Sequence, residues 1–228
     1  MYIVVAQING TTTRFCIEDP EDLIQKHHYA GDFFEKEELA VINERLGTGA
    51  VFVDIGANIG NHSLFVALFT QARKIIPFEP NPPAIRLLVS NIALNDVDAK
   101  FDTLHLGLGL SASEESGFQI GTADGNLGRT QLLRRENGAL EVITGDAALA
   151  REERIDMIKI DVEGMEMQVL AGLTKTLKRL APQILIEIDH ENRSEFDTWL
   201  AKANYRIDIT FPRQTGVQNF LIKPVSAP

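Results

Sequence analysis

The chain has 228 residues, 44% hydrophobic and 24% charged, with 22 Lys and Arg against 32 Asp and Glu for a formal net charge of −10. That size suits one α/β domain with modest additions, the acidic balance without a basic stripe argues against a nucleic-acid track, and no apolar run approaches the roughly 20 residues of a bilayer span. Cys16 is the single cysteine, which excludes an internal disulfide and a cysteine-rich zinc site, and the N-terminus lacks a basic n-region, so no signal peptide and a cytoplasmic location are expected.

Tyr2 to Ile8 and Thr11 to Ile17 read as strands of a hairpin around Asn9-Gly10. Asp19-Pro20-Glu21-Asp22 reads as a helix start. A second helix is predicted from Glu35 to Leu46, with Leu39, Ile42 and Leu46 at helical spacing and Gly47 as its C-cap. Val51 to Val53 then form an apolar run suited to a strand buried on both faces, and Asp54 is placed at its end. Gly56 to Gly60 make a glycine loop, and a helix follows from Asn61 with Leu64, Phe65 and Leu68 on one face.

Beyond the loop, strands and helices alternate. Lys74 to Phe78 is a strand, Pro82 to Asn95 a helix opened by prolines, and Lys100 to Leu106 another strand. Gly107 to Ala150 is broken by glycines into short strands and turns. Ile155 to Ile160 is an apolar strand, with a helix from about Met165 to Arg179. Gln183 to Ile188 is a strand, Ser194 to Ala203 a helix, and Tyr205 to Ile209 with Gln218 to Ile222 a closing strand pair. Such alternation predicts a mostly parallel sheet covered on both faces, with an antiparallel edge. Ligands of such sheets bind beyond the carboxyl ends of the strands. Asp54, Glu79, Asp161, Glu187 and Asp189 are therefore the residues of interest.

The loop Gly56-Ala57-Asn58-Ile59-Gly60 lacks the middle glycine of a dinucleotide fingerprint. Its leading acid, Asp54, suits an ammonium group better than a pyrophosphate. S-adenosylmethionine carries an ammonium, a sulfonium and a carboxylate, and the carboxylate would rest against loop and helix-start N–H groups. Glu79, about twenty residues on, is placed to accept hydrogen bonds from ribose hydroxyls. His62 falls beside the cofactor in the first turn of the helix. The alternatives are a loop that only turns the chain and an NAD-dependent oxidoreductase.

A second acidic cluster lies in IDMIKIDVEGMEMQVLAGL. Lys159, Asp161 and Glu163 alternate at the end of an apolar strand, and period two puts them on one face. A lysine inside a strand is costly unless paired, so the set is either a buried ion pair or a polar floor beneath a transferring methyl group. A hydroxyl acceptor benefits from a base, for which Asp161, Glu163, Glu187 and His190 are candidates. Strand-end carboxylates also suit magnesium. No Asp-Asn pair makes such a site explicit, and no metal is assigned.

The segments VFVDIGANIGNHSL, PFEPNP, IDMIKIDVEGMEMQVLAGL and PQILIEID together resemble the FkbM-type family of S-adenosylmethionine-dependent methyltransferases. The likeness spans roughly Phe33 to Ile188, with weaker agreement in NFLIKP. It implies a class I methyltransferase (Rossmann-like) fold: a mostly parallel seven-stranded sheet with an antiparallel edge strand, helices on both faces, and an N-terminal β-hairpin and helical addition. Residues 1–47 would be that addition and residues 48–228 the cofactor-binding domain. It also implies O-methylation of a sugar-like or secondary-metabolite acceptor. Asp54, Gly56, Asn58, Gly60 and Glu79 match its cofactor motif, and Asn61 and His62 follow directly. Lys159, Asp161, Glu163 and Gly164 match its second signature. Two departures touch the acceptor side: Phe33 to Glu35 stands where a Tyr-Glu pair is usual, and TGDAAL from Thr144 replaces a Thr-Leu-Asp pattern. Gly121 to Arg135 would overhang the acceptor, with Asn126 and Arg129 as substrate contacts. The partner expected is a small-molecule acceptor; a non-catalytic cofactor-binding module is the remaining alternative.

Overall fold

The computed structural model describes residues 1–122, 130–211 and 216–225. Asn9 and Gly10 have φ of 49° and 80°, the left-handed pair that a two-residue hairpin turn requires, and they join β1 (Tyr2–Ile8) to β2 (Thr11–Ile17). The Asp22 carboxylate accepts from the N–H groups of Ile24 and Gln25, opening the short α1 (Gln25–Tyr29). Next comes α2 (Lys36–Arg45). It does not close on a left-handed Gly47 as predicted: Leu46 ends it in extended backbone.

The α/β core follows with β3 (Val51–Ile55), α3 (Asn61–Phe69), β4 (Lys74–Phe78) and α4 (Pro82–Leu94). Then come β5 (Leu108–Leu110), β6 (Glu115–Thr122), β7 (Thr130–Arg134), β8 (Leu140–Ile143) and α5 (Gly145–Ala148). The chain continues through β9 (Met157–Ile160), α6 (Glu166–Gly172), α7 (Thr174–Leu180), β10 (Gln183–Asp189) and α8 (Arg193–Ala203), and ends with β11 (Tyr205–Phe211) and β12 (Val217–Pro224).

The main sheet has six strands in the order β11-β12-β10-β9-β3-β4, not the seven expected. The four strands β10, β9, β3 and β4 are parallel, and β12 runs antiparallel to both β10 and β11. The missing strand is the one predicted over Lys100 to Leu106. There the chain makes a single bridge, Phe101 to Ile75, after a 3-10 turn at Asp98–Lys100. Asp102 accepts from the Leu104 N–H and pairs with Lys74 at 3.0 Å; such local side-chain bonds offer the backbone a turn in place of a ladder. The glycine-broken middle forms a separate four-stranded sheet, β5-β8-β6-β7. The helix predicted from Met165 to Arg179 is two helices meeting at Leu173. Gly172 lies against Ser111, whose carbonyl oxygen an added Cβ would strike.

Period two along the central strands sorts two cores. Val53, Ile55, Ile158, Ile160, Ile186, Phe220 and Ile222 pack on one face under α6, α7 and α8. Phe52, Met157, Leu185 and Leu221 pack on the other with Phe15, Phe33, Leu39 and Leu64 from β2, the α2 segment and α3. The N-terminal hairpin and α2 thus share a core with the sheet. Asp54, Lys159, Glu187 and Asn219 fall at the alternate positions of this second face, where the apolar run stops.

Candidate functional site

The glycine loop follows β3 directly. Gly56 has φ 79° and Gly60 φ 87°, angles that glycine adopts without strain. An added Cβ at Gly56 would collide with the carbonyl oxygen of Asp161, and one at Gly60 would press on Leu88 at 3.2 Å. Gly56 is therefore required by the close passage of the chain leaving β9. Asn58 is also left-handed, φ 51°.

The N–H groups inside the loop are committed. Those of Gly56 and Ala57 reach the Phe78 carbonyl, both at 3.0 Å, and that of Gly60 reaches Ala57. The Asn58 N–H goes to Glu79 Oε2 at 2.7 Å, and the Ile59 N–H to Asn58 Oδ1 at 2.7 Å. The expected anion contact with loop N–H groups is corrected accordingly. The donors a helix start leaves over are those of its first turn, Asn61 to Ser63; the Leu64 N–H already bonds Gly60.

Asp54 is fully buried, one residue inside the end of β3. Its Oδ2 accepts from the Ser63 hydroxyl at 2.7 Å. Its Oδ1 has no hydrogen bond and lies 3.7 Å from Lys159 Nζ. The Lys159 ammonium, 4% exposed as a residue, also reaches Asp161 Oδ2 at 3.2 Å and donates to the Gly56 carbonyl at 3.4 Å. Burial works against this ammonium, but the carboxylates of Asp161 and Asp54 outweigh it and hold its pKa above the ordinary lysine value. One cation thus ties the two acids to the loop. Ser63 escaped the sequence reading because a serine in an apolar helix turn carries no pattern of its own.

Glu79 follows β4 and is 6% exposed. Besides the Asn58 N–H it accepts from the Asn81 N–H at 2.8 Å. Burial pushes its pKa up to about 7 despite these bonds.

Asp161, Glu163 and Glu187 come together, their nearest carboxylate oxygens all within 4.8 Å of one another. The strand ends at Ile160, so Glu163 does not continue the alternation; it sits in a turn at φ 52°. Burial, then the charges of Asp161 and Glu163, drive the Glu187 pKa well above the carboxylate range. Oxygens this close can share a proton or a cation. The acid joining the cluster is Glu187, inside β10, rather than the Asp189 that ends the strand. His190 is exposed on the 3-10 turn after β10. Asn126 and Arg129 lie outside the described residues.

Asn61 and His62 take a further part. Asn61 Oδ1 accepts from the Phe34 N–H at 2.9 Å, and its Nδ2 donates to the Phe34 carbonyl at 3.1 Å. The first turn of α3 therefore clamps the segment before α2. His62 is 4% exposed; burial, then the nearby Lys159 charge, lowers its pKa to about 4, so it is neutral at pH 7. Its Nε2 lies 3.2 Å from Glu35 Oε2. Asn219 Nδ2 donates to Glu38 at 3.2 Å and Glu35 at 3.4 Å, and Asn219 stands opposite Glu187 in the β10–β12 register. Glu35, Glu38 and Asn219 were not foreseen as site residues. Only the unusual Phe33 to Glu35 spelling hinted at the first.

The arrangement therefore has a buried acid–lysine pair under a glycine loop, a second buried acid at the next strand end, and three converging carboxylates beside them. Among solved structures, an rRNA methylase from Streptococcus thermophilus matches 82% of this chain and 94% of its own at TM-score 0.52 and 13% identity. M. capricolum TrmK, in complex with S-adenosyl-homocysteine, matches 82% of this chain and 67% of its own at TM-score 0.54 and 10% identity. At such identities they establish the fold, a class I methyltransferase sheet. In sequence, the chain is 27% identical over 178 residues to a hexuronic acid methyltransferase, AglP, from Haloferax volcanii, covering 77% of this chain and 70% of that protein. It is 30% identical over 174 residues to the methyltransferase sdnD of Sordaria araneosa, covering 62% and 67%. Residues 54–207 match the family described as the methyltransferase FkbM domain. With that match running from the acid of the loop into the last strand pair, the chain belongs to the FkbM family of methyltransferases.

Proposed function

We propose that this chain moves the methyl group of S-adenosylmethionine onto a hydroxyl of a small acceptor, sugar-like or a secondary metabolite. The observation that carries this is the buried Asp54–Lys159 pair under the loop, with Asp161 joined to it, next to Glu79 and the converging carboxylates of Asp161, Glu163 and Glu187. Asp54 Oδ1 is buried without a hydrogen bond, which suits a group that gains a partner when the amino-acid end of a ligand arrives. Gly56, Asn58 and Gly60 shape the loop, and the first-turn N–H groups at Asn61 and His62 suit the ligand carboxylate. Glu79 keeps lone pairs for ribose hydroxyls beyond the two N–H groups it holds.

When bound, the cofactor supplies a methyl group on a sulfonium, which is both electrophile and leaving group. The protein aligns the acceptor oxygen with the S–CH3 axis. Asp161, Glu163 and Glu187 face that position as candidate proton acceptors. Burial and the charges of Asp161 and Glu163 raise the Glu187 pKa to about 9, so Glu187 already holds a proton at neutral pH, and Asp161 or Glu163 is the proposed base for the hydroxyl. Lys159 pairs with Asp161 at 3.2 Å. His190, Asn126 and Arg129 are proposed to contact the acceptor. No step requires a metal.

The net charge of −10 and the acid-rich sheet end favour a small acceptor over RNA. The names of AglP and sdnD are compatible with a sugar or metabolite acceptor. The loop lacks the glycine spacing of an NAD site, and the converging carboxylates weigh against a binding module without chemistry. Incubation with methyl-tritiated S-adenosylmethionine and panels of neutral sugars, uronic acids, fatty-acid-derived metabolites and total RNA tests this. Label in a sugar or metabolite is expected. Label only in RNA would overturn the acceptor class, and no label with any panel would overturn the enzymatic reading.

A further inference from the structure

The N-terminal segment brings Glu35 into the site from outside the matched family span of residues 54–207. Its side chain is only 6% exposed, and its backbone is left-handed at φ 59°, a conformation that costs a non-glycine residue about 1–2 kcal/mol. Asn61 holds both main-chain polar groups of the preceding Phe34, so the conformation is enforced from α3. A strained residue held this firmly, with a buried carboxylate, points to use.

The main chain of Phe34 also fixes which way round the Asn61 amide lies, because its N–H must meet the oxygen and its carbonyl must meet the nitrogen. The second Nδ2 hydrogen then faces His62 Nδ1 at 3.4 Å. That makes Nδ1 the acceptor, and a neutral His62 carries its proton on Nε2, 3.2 Å from Glu35 Oε2. The contact is close without being aligned as a hydrogen bond. The same carboxylate accepts from Asn219, which stands beside Glu187.

We infer that Glu35 is a positioning residue of the transfer centre, its carboxylate set against the Nε2–H that Asn61 gives His62 at the start of the cofactor-side helix, and holding Asn219 beside Glu187. This rests on the function proposed above for the same site, and its test is separable from it. Nitrogen-15 histidine labelling of the cofactor-free protein reads the His62 tautomer without any acceptor; His62→Gln assigns the resonance. Wild-type protein is expected to show a pyridine-like Nδ1 and a pyrrole-like Nε2. Asn61 should keep that tautomer in both variants, while Glu35→Gln, which keeps a carbonyl oxygen facing the Nε2–H, should leave the His62 shifts close to wild type and Glu35→Leu should move them. In labelled-methyl transfer, Glu35→Leu should lower kcat by up to about 100-fold, the scale of an ångström-level misplacement, and Glu35→Gln should restore most of it. A pyridine-like Nε2 in the wild type overturns the inference, even if Glu35→Leu does not fold. So does a Glu35→Leu protein with unchanged His62 shifts and unchanged kcat. An intact tautomer with no methyl transfer to any acceptor would instead sink the proposed function and leave the Glu35–His62 contact standing.

Discussion

Lys159→Met removes the buried cation between Asp54 and Asp161 while keeping the chain length of the side chain. The loss falls on Asp54. Asp161 has a side chain 32% exposed and turns to water, whereas the Asp54 side chain is fully buried and, among the described residues, keeps the Ser63 hydroxyl as its one hydrogen-bond donor. At 3.7 Å the lost attraction is about 4–5 kcal/mol with an effective dielectric near 20, in line with the roughly 3–5 kcal/mol for breaking a buried pair. Urea unfolding at pH 7.5 should show a deficit of about 3–5 kcal/mol against the wild type. A deficit under about 1 kcal/mol would refute the reasoning, because Asp54 would then not depend on Lys159.

Gly56→Ala combines a left-handed φ of 79° with a collision against the Asp161 carbonyl, and should lower stability in urea unfolding by about 2–5 kcal/mol. Ser63→Ala strips the Asp54 carboxylate of its hydroxyl donor and should cost about 1.5–3 kcal/mol in the same assay. Glu79 holds its proton up to about pH 7 when folded against an ordinary 4.5. It therefore withdraws stability from the cofactor-free protein as pH rises between those values. S-adenosylhomocysteine affinity should correspondingly weaken as pH falls through 7, and Glu79→Gln should flatten that dependence. Asp161→Asn should reduce turnover in labelled-methyl transfer more than it reduces S-adenosylhomocysteine affinity; equal losses would assign it a structural role.

The elements that the sequence made legible are those with strong periodicity or turn chemistry. Asn9-Gly10 announces its hairpin, the Val51 to Val53 run its buried strand, and the paired closing strands their antiparallel edge. Lys100 to Leu106 misled because Asp102 and Asp98 supply local turns that outbid a marginal strand. The long helix after Met165 misled because Gly172 looks harmless in one dimension; only the approach of Ser111 explains the break. The fit of Lys159 and Asp161 to one face was readable from period two. The Glu35–His62–Asn219 contacts were not, since they join positions 27 to 184 residues apart through three separate elements.

Calorimetric titration of S-adenosylhomocysteine into the wild type, Asp54→Ala and Glu79→Ala, with NAD as control, tests the cofactor pocket most directly. Saturable heat with S-adenosylhomocysteine, its weakening in both variants and silence with NAD are expected. Heat with NAD and none with S-adenosylhomocysteine would contradict the pocket as described.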